Sequence, residues 1–345
     1  MNRRHFVKIV TSAAIGTGIV GAQAAKATNL HGKVMTVTGP IDPGQLGFTL
    51  THEHILVDFV GAEMIQPGRY DPDVVVARAV PHLKELKQLG VNAFVECTPA
   101  FIGRNPALMK RISKESGMKI LTNTGYYNAR EGFFVPKSVE KMNPDQLAEI
   151  WIDEWKNGIV DTGVRPGFIK IAVNRGEINA QDRKIVRAAA IAHRETGLRI
   201  HSHTGRTPIS GYQQIEILKE EGVSPSAWVW VHATGMDPLE DLRKAFEEGA
   251  WISFDNLRPD ENSVKRMIGC IDYSITNGWI DQVLVSHDAG WYVPGQPEGG
   301  QHRPYTPYFT HLLPAAKKAG ISDKDLKRIS VNNPSKAFAI TKCLL

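Results

Sequence analysis

Residues 71–98, DPDVVVARAVPHLKELKQLGVNAFVECT, contain the two signals whose alternation decides the fold. Asp71-Pro72 is a helix start signal, apolar residues then recur at spacings of three and four as far as Leu89, and Gly90 is a stop signal. Pro81 lies inside this pattern and predicts a kink or a break in the helix. The apolar run Ala93–Thr98 then predicts a strand. The stretch therefore predicts a helix that leads directly into a buried strand.

The same alternation of short apolar runs and amphipathic stretches is found eight times from Lys33 onward. Further helix signals run from Asn143 to Gly158 and from Asn179 to Gly197. Eight strand-then-helix units in about 290 residues predict an α/β fold of the (β/α)8 TIM-barrel class, a single domain over residues 33–345 with a short N-terminal β segment. The absence of GxGxxG after the first strand, and of a Walker GK[ST], argues against nucleotide-binding folds. The candidate strands are Thr49–His54, Ala93–Thr98, Lys119–Thr124, Phe168–Val173, Arg199–Thr204, Trp228–Ala233, Trp251–Asp255 and Val283–Asp288.

Composition and charge exclude several classes of protein. The 345 residues are 42% hydrophobic and 22% charged, so disorder, collagen-like structure and coiled coil are not expected. The formal net charge is +5, but Arg3, Arg4 and Lys8 lie in a leading segment that contains no acidic residue. Because the rest of the chain is nearly neutral and has no basic block, we expect no nucleic-acid partner.

The N-terminal residues 1–24 are typical of an export signal. Arg3-Arg4, followed by Phe6 and Lys8, resembles the start of a twin-arginine signal, and the weakly apolar run Ile9–Ala22 leads to the small-residue pattern Ala22-Gln23-Ala24. The run is too short for a membrane span, which needs about 20 mostly apolar residues. We predict a removed twin-arginine signal over 1–24, a linker over 25–32 and a periplasmic or extracellular protein. An ordinary secretory signal is the alternative.

Two connections are longer than the roughly two to six residues usual between strands and helices. Residues 126–142 follow the third candidate strand and residues 289–305 follow the eighth, so both leave the strand ends where barrel active sites are built. They predict the walls of a binding pocket, with Tyr126 and Trp291 as substrate contacts. Two plain surface loops are the alternative.

Metal-binding side chains stand at the ends of five candidate strands. Because side chains alternate with period two along a strand, His52 and His54 point the same way. Imidazole and carboxylate groups are natural ligands of zinc and similar divalent ions. Lys170 is out of place as a buried ammonium among cations, but a carboxyl group added to its amine would make it an anion able to bridge two metals. These strand ends carry His52, His54, Lys170, His201, His203, His232, His287 and Asp288.

Several short motifs also occur in a characteristic order. They are Val34–Ile41, Gly47–His54, Glu96–Pro99 with Gly103-Arg104, Gly167–Lys170, His203-Thr204, Val231-His232, Val285–Asp288, Tyr305-Thr306 and Asn333-Pro334. As an ordered set they resemble the phosphotriesterase family of the amidohydrolase superfamily, and the resemblance covers essentially everything after the signal. No single motif in the set is specific to that family.

The resemblance implies a hydrolase with two divalent metal ions, zinc as the first choice and manganese, cobalt or iron as alternatives. His52, His54 and Asp288 would hold the more buried ion, and His203 and His232 the more exposed one. Lys170, as N6-carboxylysine, would bridge both ions together with a hydroxide. Asp288 would also act as the catalytic general base. His201 matches no family ligand, and homodimers are common in the family although nothing in this sequence requires one.

Two departures from organophosphate-degrading relatives bear on the substrate. Those relatives relay a proton outward through a histidine after the seventh strand and an aspartate after the sixth. This chain has Asp255-Asn256 at the first position and Ala233-Thr234-Gly235 at the second. Because an asparagine side chain carries no titratable proton, efficient phosphotriester hydrolysis is not expected as the native task.

Arginines follow four of the candidate strands by a few residues, on the expected rim of the active site. Guanidinium groups suit carboxylate and phosphate, so the pattern favours an anionic small-molecule substrate. Pairing with local acids such as Glu96 or Glu177 is the alternative. The candidate substrate-binding arginines are Arg104, Arg175, Arg206 and Arg258.

The sequence as a whole predicts a metal-dependent hydrolase that cleaves a small ester or lactone. An amidase acting on an N-acyl compound, or a phosphoester hydrolase, would use the same metal site and is the alternative. From a different class, a non-catalytic protein could retain the barrel and metal to capture a ligand. The complete ligand set together with Asp288 argues against this last reading.

Overall fold

The computed structural model of the chain describes residues 30–345. The predicted export signal, residues 1–24, and residues 25–29 of the predicted linker lie outside this range. Within it, no helix combines the length and the apolar composition that a membrane crossing needs.

Parallel strands arranged as a barrel confirm the predicted (β/α)8 class. All eight predicted strands are present; the third is formed by β5 and β6, which are separated at Thr122. The N-terminal β segment is an antiparallel hairpin of β1 and β2. A short strand in the last long loop, β12, pairs in parallel with β3. The strands are β1 Val34–Thr36, β2 Gly39–Ile41, β3 Thr49–Leu56, β4 Ala93–Glu96, β5 Lys119–Leu121, β6 Asn123–Thr124, β7 Phe168–Ala172, β8 Ile200–His203, β9 Trp228–Val231, β10 Trp251–Phe254, β11 Val283–Val285 and β12 Gly290–Tyr292.

The helices begin and end at the predicted signals. Asp71 caps the first helix through its side chain, which accepts a hydrogen bond from the backbone of Asp73. Of the kink or break expected at Pro81, the break does not occur: the helix runs unbroken from Pro72 to Gln88. Pro81 and Ala77, whose carbonyl loses its partner, are both exposed, so water can satisfy that carbonyl. The helices are α1 Pro72–Gln88, α2 Pro106–Ser116, α3 Pro144–Asn157, α4 Ala180–Thr196, α5 Pro208–Glu220, α6 Arg243–Glu247, α7 Glu261–Thr276, α8 Leu313–Lys318, α9 Asp323–Lys327 and α10 Asn333–Ala337.

The barrel interior is a packed apolar layer. Both faces of its strands are buried, one against the interior and one against the helices, which is why the strands are almost continuously apolar. Inside, Phe168 and Phe338 pack against His201, whose ring stacks on Phe338 at a centroid distance of 4.9 Å. His201 is therefore part of the packing beneath the site.

The first and last barrel strands are joined by polar contacts that also position the site. The His52 amide donates to Ser286 Oγ at 3.0 Å, and the Asp288 amide donates to the His52 carbonyl at 3.0 Å. Glu53, which is fully buried, accepts hydrogen bonds from the Ser286 hydroxyl and the His287 amide. Barrel closure therefore places Asp288 beside the histidines of β3.

Candidate metal centre

All six predicted metal ligands line one cavity of about 130 Å³ at the carboxyl ends of the barrel strands, hereafter the metal cavity. The ring centroids of His203 and His232 are 4.5 Å apart, and those of His52 and His232 are 5.0 Å apart. The ring of His54 lies 5.5 Å from that of His52. The imidazoles therefore converge as strand alternation predicts. The six residues are His52, His54, Lys170, His203, His232 and Asp288.

Asp288 occupies the centre of this group. Its Oδ1 lies 3.1 Å from His54 Nε2 and 3.8 Å from His52 Nε2. These three residues bring ligand atoms close enough together to hold one metal ion. Burial by itself raises the pKa of Asp288, but its contact with His54 and the nearby His232 and His52 hold that pKa below its ordinary value. Its carboxylate is therefore available as a ligand and as a proton acceptor.

Lys170 provides the test of whether the site fits two metals. Its side chain is 2% exposed, and its Nζ has no hydrogen-bond partner among residues 30–345. Burial lowers its pKa, which favours the neutral amine that a carboxylation reaction requires. A Cβ at Gly125 would lie 2.1 Å from the Lys170 carbonyl oxygen, so glycine allows the neighbouring strand to pack beside it. The unpartnered amine among imidazoles fits a carboxylated lysine shared by two cations.

Thr98 and Glu96 set the orientation of the His54 ring. The Thr98 hydroxyl donates to Glu96 Oε1 at 2.5 Å, so the same hydroxyl oxygen accepts from His54 Nδ1, 2.8 Å away. This places the proton of His54 on Nδ1 and leaves Nε2 free to bind a metal. Burial raises the pKa of Glu96 to about 7. The sequence pattern suggests Glu96 only as a potential arginine partner and does not predict this role.

Asp255 is a second supporting residue that the sequence analysis did not identify. It is fully buried, and its Oδ1 lies 2.6 Å from His232 Nδ1 while its Oδ2 lies 3.3 Å from His52 Nδ1. The His232 amide and the Ser253 hydroxyl donate to the same carboxylate. A carboxylate hydrogen-bonded to the far nitrogen of a metal-ligating histidine orients the ring and makes its other nitrogen a stronger metal ligand. Its place at the end of β10 was the signal available in the sequence.

Three residues that follow β9, β10 and β11, and a fourth inside the short strand β12, have backbone conformations that side chains rarely adopt. The φ angles of His232, Asn256, Asp288 and Trp291 are +68°, +75°, +53° and +77°. Such left-handed conformations are unfavourable outside glycine, and in folded proteins they cluster at functional sites. Here all four residues line the metal cavity or the cavity that adjoins it.

Three predicted substrate contacts lie beside the metal cavity. Trp291 lines it directly, with its ring 5.7 Å from that of His54. Arg175 and Arg206 line an adjoining cavity of about 160 Å³, the inner arginine cavity. That cavity also contains His203, His232 and Asp288. It therefore opens directly onto the metal cavity.

Arg258 is near the site but already engaged. Its Nη1 donates to the carbonyls of His287 and Asp288 at 3.0 and 3.3 Å, and its Nη2 bonds to Asn256. Arg303, which the sequence analysis missed, donates to the Asp288 carbonyl at 3.0 Å and lies 3.8 Å above the Trp291 ring. Both arginines therefore support the backbone that presents Asp288.

Two predicted substrate contacts are corrected. Arg104 forms a two-pronged ion pair with Glu154 of α3, at 2.6 and 2.8 Å, and does not line the metal cavity. Tyr126 is 7% exposed and packs edge-on against Trp151. Its neighbour Tyr127 lines the cavity instead, with its hydroxyl 3.1 Å from His203 Nδ1. Adjacent residues of an extended chain face opposite ways, so an error of one position exchanged core and site.

The fold and this set of donor residues together define a metal-dependent hydrolase built on a (β/α)8 barrel. The chain belongs to the phosphotriesterase family, whose sequence model matches residues 32–338. Members of this family are binuclear-metal-dependent hydrolases. The resemblance of the sequence motifs to this family is thus confirmed.

Three relatives illustrate the range within the family. The chain is 28% identical to the aryldialkylphosphatase of Saccharolobus solfataricus over 309 residues, 87% of this chain and 97% of the relative. It is 29% identical to the phosphotriesterase homology protein of Escherichia coli over 298 residues, 85% and 98% of the two chains. It is 26% identical to the N-acetyltaurine hydrolase of Homo sapiens over 351 residues, 89% and 98% of the two chains. The relatives thus carry names that refer to different substrates.

Proposed function

We propose that this protein hydrolyses a small ester or lactone that carries an anionic group. The observation that supports this most directly is the opening of the metal cavity onto Arg175 and Arg206. Neither guanidinium forms a hydrogen bond or an ion pair with another residue in the described range 30–345. Unpaired arginines beside a hydrolytic centre are suited to bind a carboxylate or phosphate of the substrate.

The residues of the metal cavity divide into two ligand groups in this proposal. His52, His54 and Asp288 would hold one ion and His203 and His232 the other, and Lys170, if carboxylated on Nζ, would supply a ligand to both. When bound, two divalent ions polarise the scissile carbonyl and acidify the attacking water.

Asp288 is the proposed general base. Its side chain is 16% exposed and borders both the metal cavity and the inner arginine cavity. Its carboxylate can therefore accept the proton of an attacking water and release it towards a leaving group on the open side. Arg258 and Arg303 keep the Asp288 backbone in place through its carbonyl.

The position after β10 supports a carbonyl substrate over a phosphotriester. Asn256 lines the inner arginine cavity and bonds to Arg258, so its amide occupies a place where a proton relay would need a titratable group. Phosphoester hydrolysis, the reaction class to which the name aryldialkylphosphatase belongs, is accordingly the weaker alternative. Amide hydrolysis is the stronger one, since several relatives are named N-acetyltaurine hydrolase.

Metal analysis combined with a substrate panel tests the proposal. The purified protein should contain about two equivalents of divalent metal and cleave aryl esters, lactones or N-acyl amino acids in a chelator-sensitive manner. The Asp288→Asn variant should lose most of this turnover, whereas Asp272→Asn, on α7 away from the site, should not. Metal binding without turnover across the whole panel would favour a non-catalytic binding protein.

We also propose export by the twin-arginine route, on the motif Arg3-Arg4 and the segment that follows it. Fractionation of cells expressing the full chain should place the wild-type protein outside the cytoplasm. The double variant Arg3→Lys with Arg4→Lys should remain inside. Export of both would indicate an ordinary secretory signal.

A further inference from the structure

Beyond the inner arginine cavity lies a second, larger one. This outer arginine cavity has a volume of about 360 Å³ and is lined by Arg206, Arg258 and Arg266 with polar neighbours. It shares Arg206, Thr234, Gly235 and Asn256 with the inner arginine cavity. The three cavities thus form one continuous path from the metal ligands to the outer arginines.

Arg266 is the residue of this path that the sequence analysis did not consider. It projects from α7, and its Nε donates to the Thr234 carbonyl at 2.9 Å. Its Nη2 is buried and has no hydrogen-bond partner in the part of the chain that the structure describes. An unsatisfied buried guanidinium nitrogen is costly and is stabilised when an acceptor binds.

The charge of the outer cavity is positive on balance. Asp237 also lines it, but no arginine there lies within ion-pair distance of this carboxylate. Gly235 leaves room for Arg206, because a Cβ at Gly235 would lie 2.5 Å from Arg206 Nε. Three guanidinium groups against one carboxylate favour an anionic occupant.

The opposite wall of the metal cavity has a different character. Apart from the six ligand candidates, the described residues that line the metal cavity are uncharged, and they include Val57, Phe59, Ile102 and Trp291. The metal cavity, at about 130 Å³, is also smaller than the outer arginine cavity, at about 360 Å³. This wall therefore suits a short apolar group and offers nothing to a second anion.

From this arrangement we infer that the substrate is an acyclic ester or amide with a short apolar acyl group and a leaving group that carries the anion. The acyl group lies against Phe59 and Trp291, and the anion lies between Arg206 and Arg266. This inference rests on the proposed hydrolase function and narrows it. A lactone does not divide in this way, because its leaving oxygen stays joined to the acyl chain.

The direction of cleavage follows from the exit route. The bond between the carbonyl carbon and the leaving oxygen or nitrogen breaks, water supplies the new carboxylate oxygen, and a proton passes to the departing alcohol or amine. That product has to reach solvent, and the wide arginine side provides the route. If the anion were on the acyl group instead, hydrolysis would give a product with two carboxylates. One would be held at the metal site and the other by the arginines.

Four phenyl esters separate the alternatives. The substrates are 4-acetoxybenzoate, with the anion on the leaving group, its uncharged analogue 4-acetoxybenzamide, phenyl acetate, and phenyl hydrogen glutarate, with the anion on the acyl group. We expect kcat/KM for 4-acetoxybenzoate to exceed that for 4-acetoxybenzamide by about 10-fold or more, since a charged hydrogen bond contributes that much. Arg266→Met and Gly235→Ala should remove this preference, lowering kcat/KM for 4-acetoxybenzoate about 10-fold relative to that for phenyl acetate. The exposed Arg183→Met on α4 is the matched control.

Calorimetry provides a readout that does not depend on turnover. The metal-loaded protein should bind 4-hydroxybenzoate about 10-fold more tightly than 4-hydroxybenzamide, and Arg266→Met should abolish the difference. Equal losses for all four esters in Arg266→Met, or a charge preference only for phenyl hydrogen glutarate, would overturn the inference while leaving the hydrolase function intact. Absence of any ester or amide cleavage, with the binding preference retained, would instead contradict the hydrolase function alone.

Discussion

Replacing Lys170 by methionine should stabilise the metal-free protein and impair its response to metal. The Lys170 amine is buried without a hydrogen-bond partner in residues 30–345, and such a group costs about 1–3 kcal/mol. Methionine keeps much of the aliphatic stem and removes the polar atom. The free energy of unfolding of metal-free K170M should therefore exceed that of the wild type by about 1–3 kcal/mol, or about 1–4 °C in Tm for a chain of this size.

The effect should reverse when metal is supplied. At a free metal concentration 100-fold above Kd the wild type gains about 2.7 kcal/mol, whereas K170M lacks the group that joins the two ions and gains less. Differential scanning calorimetry in EDTA, and again with zinc in bicarbonate buffer, measures both differences. Lys265→Met, on the exposed face of α7, controls for the general effect of removing a lysine. A metal-free K170M less stable than wild type, or equal metal stabilisation of both proteins, would refute the reasoning.

Three further outcomes follow from buried polar groups. D255N should weaken metal binding by about 10- to 100-fold in competition titrations, because the carboxylate behind His232 is lost; an unchanged affinity would contradict its supporting role. Burial lowers the pKa of His193 to about 4, so the unfolded chain binds the extra proton first, and acidification from pH 7 to 4 should cost about 3 kcal/mol of stability. H193Q should flatten that part of the pH dependence in denaturant titrations, and an identical slope would count against it. R104M should lower the unfolding free energy by roughly 1–3 kcal/mol through the loss of the Glu154 pair while leaving KM unchanged; a raised KM would restore Arg104 as a substrate contact.

Much of the fold could be predicted because its signals are local. The strands from β3 to β11 are short apolar runs, and the ends of α1, α3 and α4 coincide with Asn or Asp caps and following glycines. Pro81 was the exception, because whether a proline interrupts a helix depends on which face of the helix is solvated. That face is decided by packing against the barrel.

The candidate site was predictable to the extent that strand geometry dictates it. His52 and His54 share a face by alternation alone, and residues at the carboxyl ends of parallel strands meet on one side of a barrel. The error at Tyr126 was one of a single position just after β6, where the extended chain directs Tyr126 into the core and Tyr127 into the cavity. Arg104 was misassigned because its partner, Glu154, lies 50 residues away on α3.

The sequence by itself determined which chemical groups stand at the strand ends, since periodicity and residue type are local properties of the chain. The tertiary structure decided which groups act together, because those contacts join residues far apart. Glu53 and His287 are 234 residues apart, yet they close the barrel beside Asp288. Asp255 and Arg266 likewise take their roles from neighbours that strand pairing and helix packing bring within hydrogen-bond distance. Glu96 acts through Thr98, whose hydroxyl contacts His54, 44 residues away along the chain.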